Sequence, residues 1–153
     1  MKRHQTGLVT VELAMVGGMF FFVLLGVLET GRAMFTMNAL NEATRLGARA
    51  AAVCPVQNAA ITNIARFNDS GVLSDLEPSN IVINYLDEDG GVIANPSPAN
   101  VNGYLDIRFV QVSIQDYEYE VLVPGVPTFN LPTYTTTLPR QSLGVVPSEA
   151  TGC

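Results

Sequence analysis

Apolar side chains are distributed very unevenly along this chain. Residues 8–28 read LVTVELAMVGGMFFFVLLGVL, and residues 13–28 carry no charge. At 1.5 Å per residue, a helix of that stretch is about 31 Å long, the thickness of a bilayer's hydrocarbon core. The run predicts a membrane-spanning helix. Past it, Ala33, Met37, Leu40, Thr44, Gly47, Ala48 and Ala51 recur at steps of three and four, while Asn38, Asn41, Glu42, Arg45 and Arg49 take the opposite face. The helix is therefore predicted to leave the membrane and continue to Val53, with Pro55 as its stop. Glu42 and Arg45, three apart, form a weakly favourable helical pair. The small-residue face can pack closely on another helix or cover the chain's own globular part, and apolar stripes favour the second.

After Pro55 the period changes. Val56, Ala60, Ile61, Ile64 and Phe67 suggest a short second helix, stopped at Asn68-Asp69-Ser70-Gly71. Residues 80–85 (NIVINY) are rich in β-branched side chains and predict a strand. The following DEDGG reads as a hairpin turn into Val92-Ile93-Ala94. Residues 95–103, with Pro96 and Pro98, read as a loop. Residues 104–123 suit two strands or one bent strand. Leu105, Ile107 and Phe109 alternate, then the parity moves to Val110, Val112 and Ile114, which suggests a bulge near Phe109-Val110. Pro124, Pro127 and Pro132 punctuate the next stretch, and residues 134–138 predict a final edge strand. The expected fold class is α+β: a long N-terminal helix packed on a small antiparallel β-sheet domain, with no internal repeat.

Composition sharpens this picture in two places. Of 153 residues, 48% are hydrophobic and 14% charged, which fits one anchored domain and not several spans. The net charge is -6, yet Lys2, Arg3 and His4 precede the apolar run and Arg32, Arg45, Arg49 and Arg66 follow it. The basic leader favours a cytoplasmic N-terminus and an exported remainder, although the later arginines weaken the asymmetry. Past Arg66 only Arg108 and Arg140 are basic, among many acids, so the exported part is poorly suited to binding nucleic acid.

Candidate chemistry is sparse. His4 is the only histidine and Lys2 the only lysine, so the exported part can assemble neither a serine or cysteine triad nor a lysine-assisted nucleophile. Asp116, Glu118 and Glu120 alternate along a strand and read as a solvated face, against the carboxylate pair of a glycosidase. Asp87, Glu88 and Asp89 lack the ligand spacing of a calcium loop. No cofactor or metal is expected, and an enzyme is not. Cys54 and Cys153 are too few for a usual zinc site. In an oxidising compartment they would close a loop of about 100 residues; in a reducing one they would be free thiols.

Glu12 is the residue that asks most of the helix. A carboxylate inside a membrane segment costs on the order of 2.5–3.5 kcal/mol on insertion scales and calls for a partner or a purpose. A cleaved secretory signal is excluded, because the small residues Ala50-Ala51-Ala52 lie too far past the apolar core and Val53 is wrong beside Cys54 for a lipoprotein site. A plain uncleaved anchor, with Glu12 hydrated near the interface, stays open. The third reading rests on order: basic leader, Gly7, Leu8, then Glu12 at the fifth place counted from Leu8. In this the chain resembles prepilins of the type IV pilus superfamily.

The resemblance narrows along residues 7–53. Val11-Glu12-Leu13-Ala14, Glu29-Thr30-Gly31-Arg32, Asn38-Ala39-Leu40 and Ala43-Thr44-Arg45-Leu46-Gly47-Ala48-Arg49 together are similar to the TadE-like pseudopilins of tight-adherence (Tad/Flp) pilus systems. One departure is Gly17-Gly18, where relatives often carry proline. The resemblance implies a leader, residues 1–7, removed after Gly7 by a membrane-bound prepilin peptidase, so that Leu8 becomes the N-terminus. Its amine, with a reference pKa of about 7.7–8.0, is a natural partner for Glu12 between neighbouring subunits. The expected organisation is then a helix over residues 8–53, spanning the membrane at 8–28, and an exported domain over 54–153. Implied partners are other pilin and pseudopilin subunits, the peptidase, an inner-membrane assembly platform and the lipid bilayer. An uncleaved single-pass scaffold and a tethered adhesive module are the rivals.

Overall fold

The computed structural model describes residues 6–73, 75–97, 99–123, 125–145 and 153. The basic leader with Lys2, Arg3 and His4, together with Pro98 and Pro124, lies outside the described residues. One helix, α1 (Thr6–Val53), takes up 48 residues. It is followed by α2 (Ala59–Ala65), β1 (Ile81–Leu86), α3 (Val101–Asp106), β2 (Phe109–Ile114), β3 (Glu118–Tyr119), β4 (Phe129–Asn130) and β5 (Tyr134–Pro139). Short 3-10 turns lie at Phe67–Asp69 and Pro78–Asn80. The expected α+β class is found: a long apolar helix whose outer half packs on a small antiparallel sheet.

Strands β1, β2 and β5 form that sheet in the order β1-β2-β5, both pairs antiparallel. The registers stack Ile81, Ile83 and Tyr85 beside Ile114, Val112 and Val110, and these beside Tyr134, Thr136 and Leu138. With a side-chain period of two, those nine positions share one face. That face meets α1, and Val110, Val112, Ile114 and Tyr85 are buried there. The opposite face carries Asn84, Gln111 and Thr137, whose amides and hydroxyl form a cross-strand ladder. Strand β5 is an edge, as the pattern predicted.

The face that α1 turns inward is rich in small residues. Thr36, Ala39, Leu40, Ala43, Thr44, Ala48, Ala51 and Ala52 are buried, and Asn38, Asn41, Glu42, Arg45 and Arg49 are exposed. The expected stripe is thus rotated slightly, since Met37 is 38% exposed while Ala39 and Ala43 take its place. A long side chain at 37 would hold the sheet away; alanines at 39 and 43 let it approach. Thr44 and Thr136 hydroxyls meet across the seam at 2.9 Å. The predicted Glu42–Arg45 pair forms at 3.8 Å, exposed on both sides.

Gly47 marks the tightest point of this seam. A Cβ there would stand 3.0 Å from the Ala65 methyl and 3.1 Å from a Val112 methyl. Helix propensity alone favours alanine by about 1 kcal/mol, but overpacking a core costs about 1–3 kcal/mol. Gly47→Leu is therefore expected to destabilise the domain by about 3 kcal/mol. Gly31→Ala, whose Cβ meets nothing within 4 Å, should be neutral or stabilising. Denaturant midpoints of the two variants test the contrast; equal midpoints would refute the close approach.

The outer end of α1 is capped in trans. The Ala52 carbonyl accepts from the Gln141 and Leu143 amides at 3.1 and 3.3 Å, and the Val53 carbonyl from the Gly144 amide at 2.6 Å and the Ser142 hydroxyl at 3.1 Å. These bonds satisfy carbonyls that a helix end leaves without partners. Gly144 has φ +79°, and a Cβ on it would fall 2.6 Å from the Pro55 ring, so both backbone and space require glycine. Cys54, one residue past the helix, is joined to Cys153 with Cα atoms 5.7 Å apart.

Three local expectations are corrected. Residues 101–106 form α3 instead of ending a loop and starting a strand. The parity change at Phe109-Val110 is the switch from that helix to β2, not a bulge, because the β2 register runs unbroken from Phe109 to Ile114 against both neighbours. The return strand at Val92-Ile93-Ala94 is reduced to one bridge, Leu86 to Val92. There Asp87 turns its carboxylate onto the Asp89 and Gly91 amides, and Pro96 follows too soon for a longer ladder.

Candidate functional site

Two stretches of α1 carry the candidate chemistry. Over its inner part the helix is bare: Leu8, Val9, Val11, Leu13, Met15, Val16 and the large apolar residues through Leu28 are 40–75% exposed. By length and composition this helix can cross a membrane, and none of its most apolar window is covered by the rest of the chain. Gly7 and Leu8 lie in its opening turns, and Glu12 projects from the same uncovered surface, one turn beyond Leu8. Where the charge-free run ends, Glu29 and Arg32 hydrogen-bond to the domain.

At that exit the structure brings together residues the sequence reading kept apart. Glu29 Oε1 accepts the Tyr119 hydroxyl at 2.7 Å, and Glu29 Oε2 accepts the Leu122 amide at 3.4 Å. Arg32, one turn on, pairs with Glu29 at 3.4 Å and donates to the Glu120 carbonyl at 2.5 Å. Its guanidinium lies 4.9 Å from the centre of the Tyr119 ring, within cation–π range. On the other side Tyr119 packs on Phe129, its cross-strand partner, with centroids 5.6 Å apart. The helix thus holds the β3–β4 ribbon through one buried tyrosine.

In the sequence Glu29 stands out only within Glu29-Thr30-Gly31-Arg32, and Arg32 there and among the basic residues past the apolar run. A carboxylate ending an apolar run with an arginine three residues later was a visible signal, but its partner lies about 90 positions away, where helix periodicity says nothing.

Burial, and then the hydrogen bond to Glu29, push the Tyr119 phenol up from 10.0 to about 12. Because the folded value lies above the unfolded one, the fold favours the protonated phenol. That contribution is complete below pH 10 and is lost as pH rises through about 12. Tyr119→Phe should cost about 1.5–3 kcal/mol, the value of a hydrogen bond to a charged group. It should also reduce the phenolate absorbance gained at high pH, to which Tyr85 and Tyr117, raised by burial as well, contribute the remainder. An unchanged alkaline titration would refute the assignment.

The acids sort as the alternation implied. Tyr117 and Tyr119 are buried, whereas Asp116, Glu118 and Glu120 are exposed and line, with Asp75 and Glu77, an open groove of about 390 Å³. Among the described residues no group of three His, Cys, Asp or Glu side chains converges as a metal site.

A bare apolar helix, continuous with a rod that carries a small disulfide-joined α+β domain, fits a membrane anchor. Residues 7–49, under a third of the chain, match the family model for TadE-like protein and lie within the 7–53 segment that carries the resemblance. No curated protein and no solved structure matches the chain. The match supports a Tad pilus-associated protein, and the TadE-like family is not a family of enzymes.

Proposed function

We propose that this chain is a minor pilin or pseudopilin that takes part in assembling or priming a Tad/Flp-type pilus at the inner membrane. The observation that carries the reading is the uncovered apolar part of α1 with Glu12 on its surface. A helix that its own domain leaves bare can move from lipid to a bundle of like helices without any change in the domain. Glu12 then gains a partner: the α-amine of Leu8 on a neighbouring subunit, exposed once a prepilin peptidase cuts after Gly7. A paired carboxylate in an apolar bundle is far less costly than a lone one, so the contact sets axial register as well as affinity. The domain faces the periplasm or the outside, where an oxidising environment suits the Cys54–Cys153 bond. The assembly platform and other subunits are its partners, and its part is structural.

The test is the N-terminal mass of the protein extracted from membranes. A chain beginning at Leu8 is expected. An intact Met1 would overturn the pilin reading in favour of an uncleaved single-pass scaffold.

A further inference from the structure

Strands β2 to β5 form one long hairpin. Phe109–Ile114 pairs with Tyr134–Pro139, and Glu118–Tyr119 pairs with Phe129–Asn130 in the same register. The Leu131 amide bonds the Tyr117 carbonyl within the break, where Asp116 adopts φ 53°. The hairpin's open end lies beside the outer end of α1, since the Gln141 amide just past β5 bonds Ala52. Toward its closed end, the Glu120 carbonyl and the Leu122 amide meet Arg32 and Glu29. The tip is therefore the part of the domain level with the end of the charge-free helix run.

That tip is unlike the rest of an acidic domain. Residues 121–139 contain no charged side chain. Leu122 is 72% exposed, the most exposed large hydrophobic side chain described beyond α1, and Val126 and Phe129 are 45% and 47% exposed. These three exposed apolar side chains belong to the ribbon that meets α1 where its bare apolar part ends.

Resting on the reading that α1 spans a bilayer, we propose that the hairpin tip, through Leu122, Val126 and Phe129, seats in the interfacial layer of that same bilayer. The occupant is the boundary between headgroups and acyl chains, not an anionic headgroup. Residues 121–139 offer no cation, Arg32 beside them is engaged by the Glu29 carboxylate and the Glu120 carbonyl, and the neighbouring groove of Asp116, Glu118 and Glu120 repels negative charge. Moving each of these apolar side chains out of water favours the seated position. The Glu29–Tyr119 and Arg32–Glu120 bonds hold the tip at that depth. Anchor and domain thereby form one membrane-seated unit, with the sheet standing upright on the surface.

The experiment uses the full chain, disulfide intact, in phosphatidylcholine vesicles. A single added cysteine, Leu122→Cys, Val92→Cys or Met19→Cys, carries an environment-sensitive fluorophore. Val92 is bridged to Leu86 at the far end of the sheet, about 30 Å further along the α1 axis. Lipids spin-labelled near the headgroup should quench the Leu122 probe several-fold more than the Val92 probe. Lipids labelled deep in the chain should quench the Met19 probe. If Met19 is quenched and Leu122 matches Val92, the tip does not touch lipid and this inference falls while the anchor stands. If Met19 is not quenched, both fall. A Leu122 probe that shifts to the blue without quenching would place protein, such as a second copy, on the tip and overturn the lipid assignment.

Discussion

If the chain is the pilin proposed above, replacing Glu12 by alanine will leave the domain folded and remove the chain from pilus filaments. The two halves of this expectation have separate physical grounds. The Glu12 side chain projects from the bare part of α1, well short of Glu29 and Arg32, where the helix hydrogen-bonds to the domain. Nothing in the folded core depends on it. Alanine also removes a carboxylate that costs on the order of 2.5–3.5 kcal/mol in a membrane, so the variant should insert at least as well as the native chain. What it loses is the pairing with the neighbouring Leu8 amine proposed above. A pair gained on leaving lipid for a bundle is counted once per subunit, and 1.4 kcal/mol already shifts an equilibrium tenfold. Co-sedimentation of the variant with sheared filaments, against its level in the membrane fraction, is the measurement. Full incorporation of Glu12→Ala would remove the register role of Glu12, and Glu12→Gln should fall between the two.

Breaking the disulfide is expected to be the largest single loss of stability. Cys54 and Cys153 are 99 positions apart, and a closed loop of that length is worth up to about 4–5 kcal/mol in the chain-entropy model. The Cys54→Ser, Cys153→Ser double variant should lose about 2–5 kcal/mol. For a domain of about 100 residues that corresponds to a melting temperature lower by about 10 °C or more. The bonds from residues 141–144 to Ala52 and Val53 remain in the variant, so the end of α1 should stay helical and the loss should be thermodynamic rather than a change of fold. Thermal unfolding in detergent, with and without reductant, reads this. A native chain whose midpoint does not respond to reduction would show that the bond contributes nothing.

Elements set by local chemistry were legible in the sequence. The apolar run, the three-and-four spacing past it and Pro55 determine α1 with little help from elsewhere, and the β-branched cluster around Ile81 and Ile83 does the same for β1. Where the sequence misled, two periods were joined without a break. Leu105 and Ile107 mimic strand alternation because a six-residue helix is too short to show its own period. The hairpin register was invisible for a different reason. Its closing turn is long and proline-rich, so no two-residue turn signature marks its centre. The exit cluster was least legible of all, since Glu29, Arg32 and Tyr119 meet only once the hairpin has folded back along the helix. Cys54 and Cys153 could be paired by counting, but the trans cap beside them depends on Gly144 reaching Pro55.

The unbroken course of α1 makes the domain's heading a property of the membrane segment. The domain is fastened to the helix at both ends, by Glu29 and Arg32 at one and by Ala52, Val53 and Cys54 at the other. It has no swivel of its own. Each residue added to or taken from the charge-free run would turn the whole domain by about 100° and shift it by about 1.5 Å along the axis. In a helical assembly, the compass direction in which Arg45 or the acidic groove faces is thus written into the count of residues between Glu12 and Glu29.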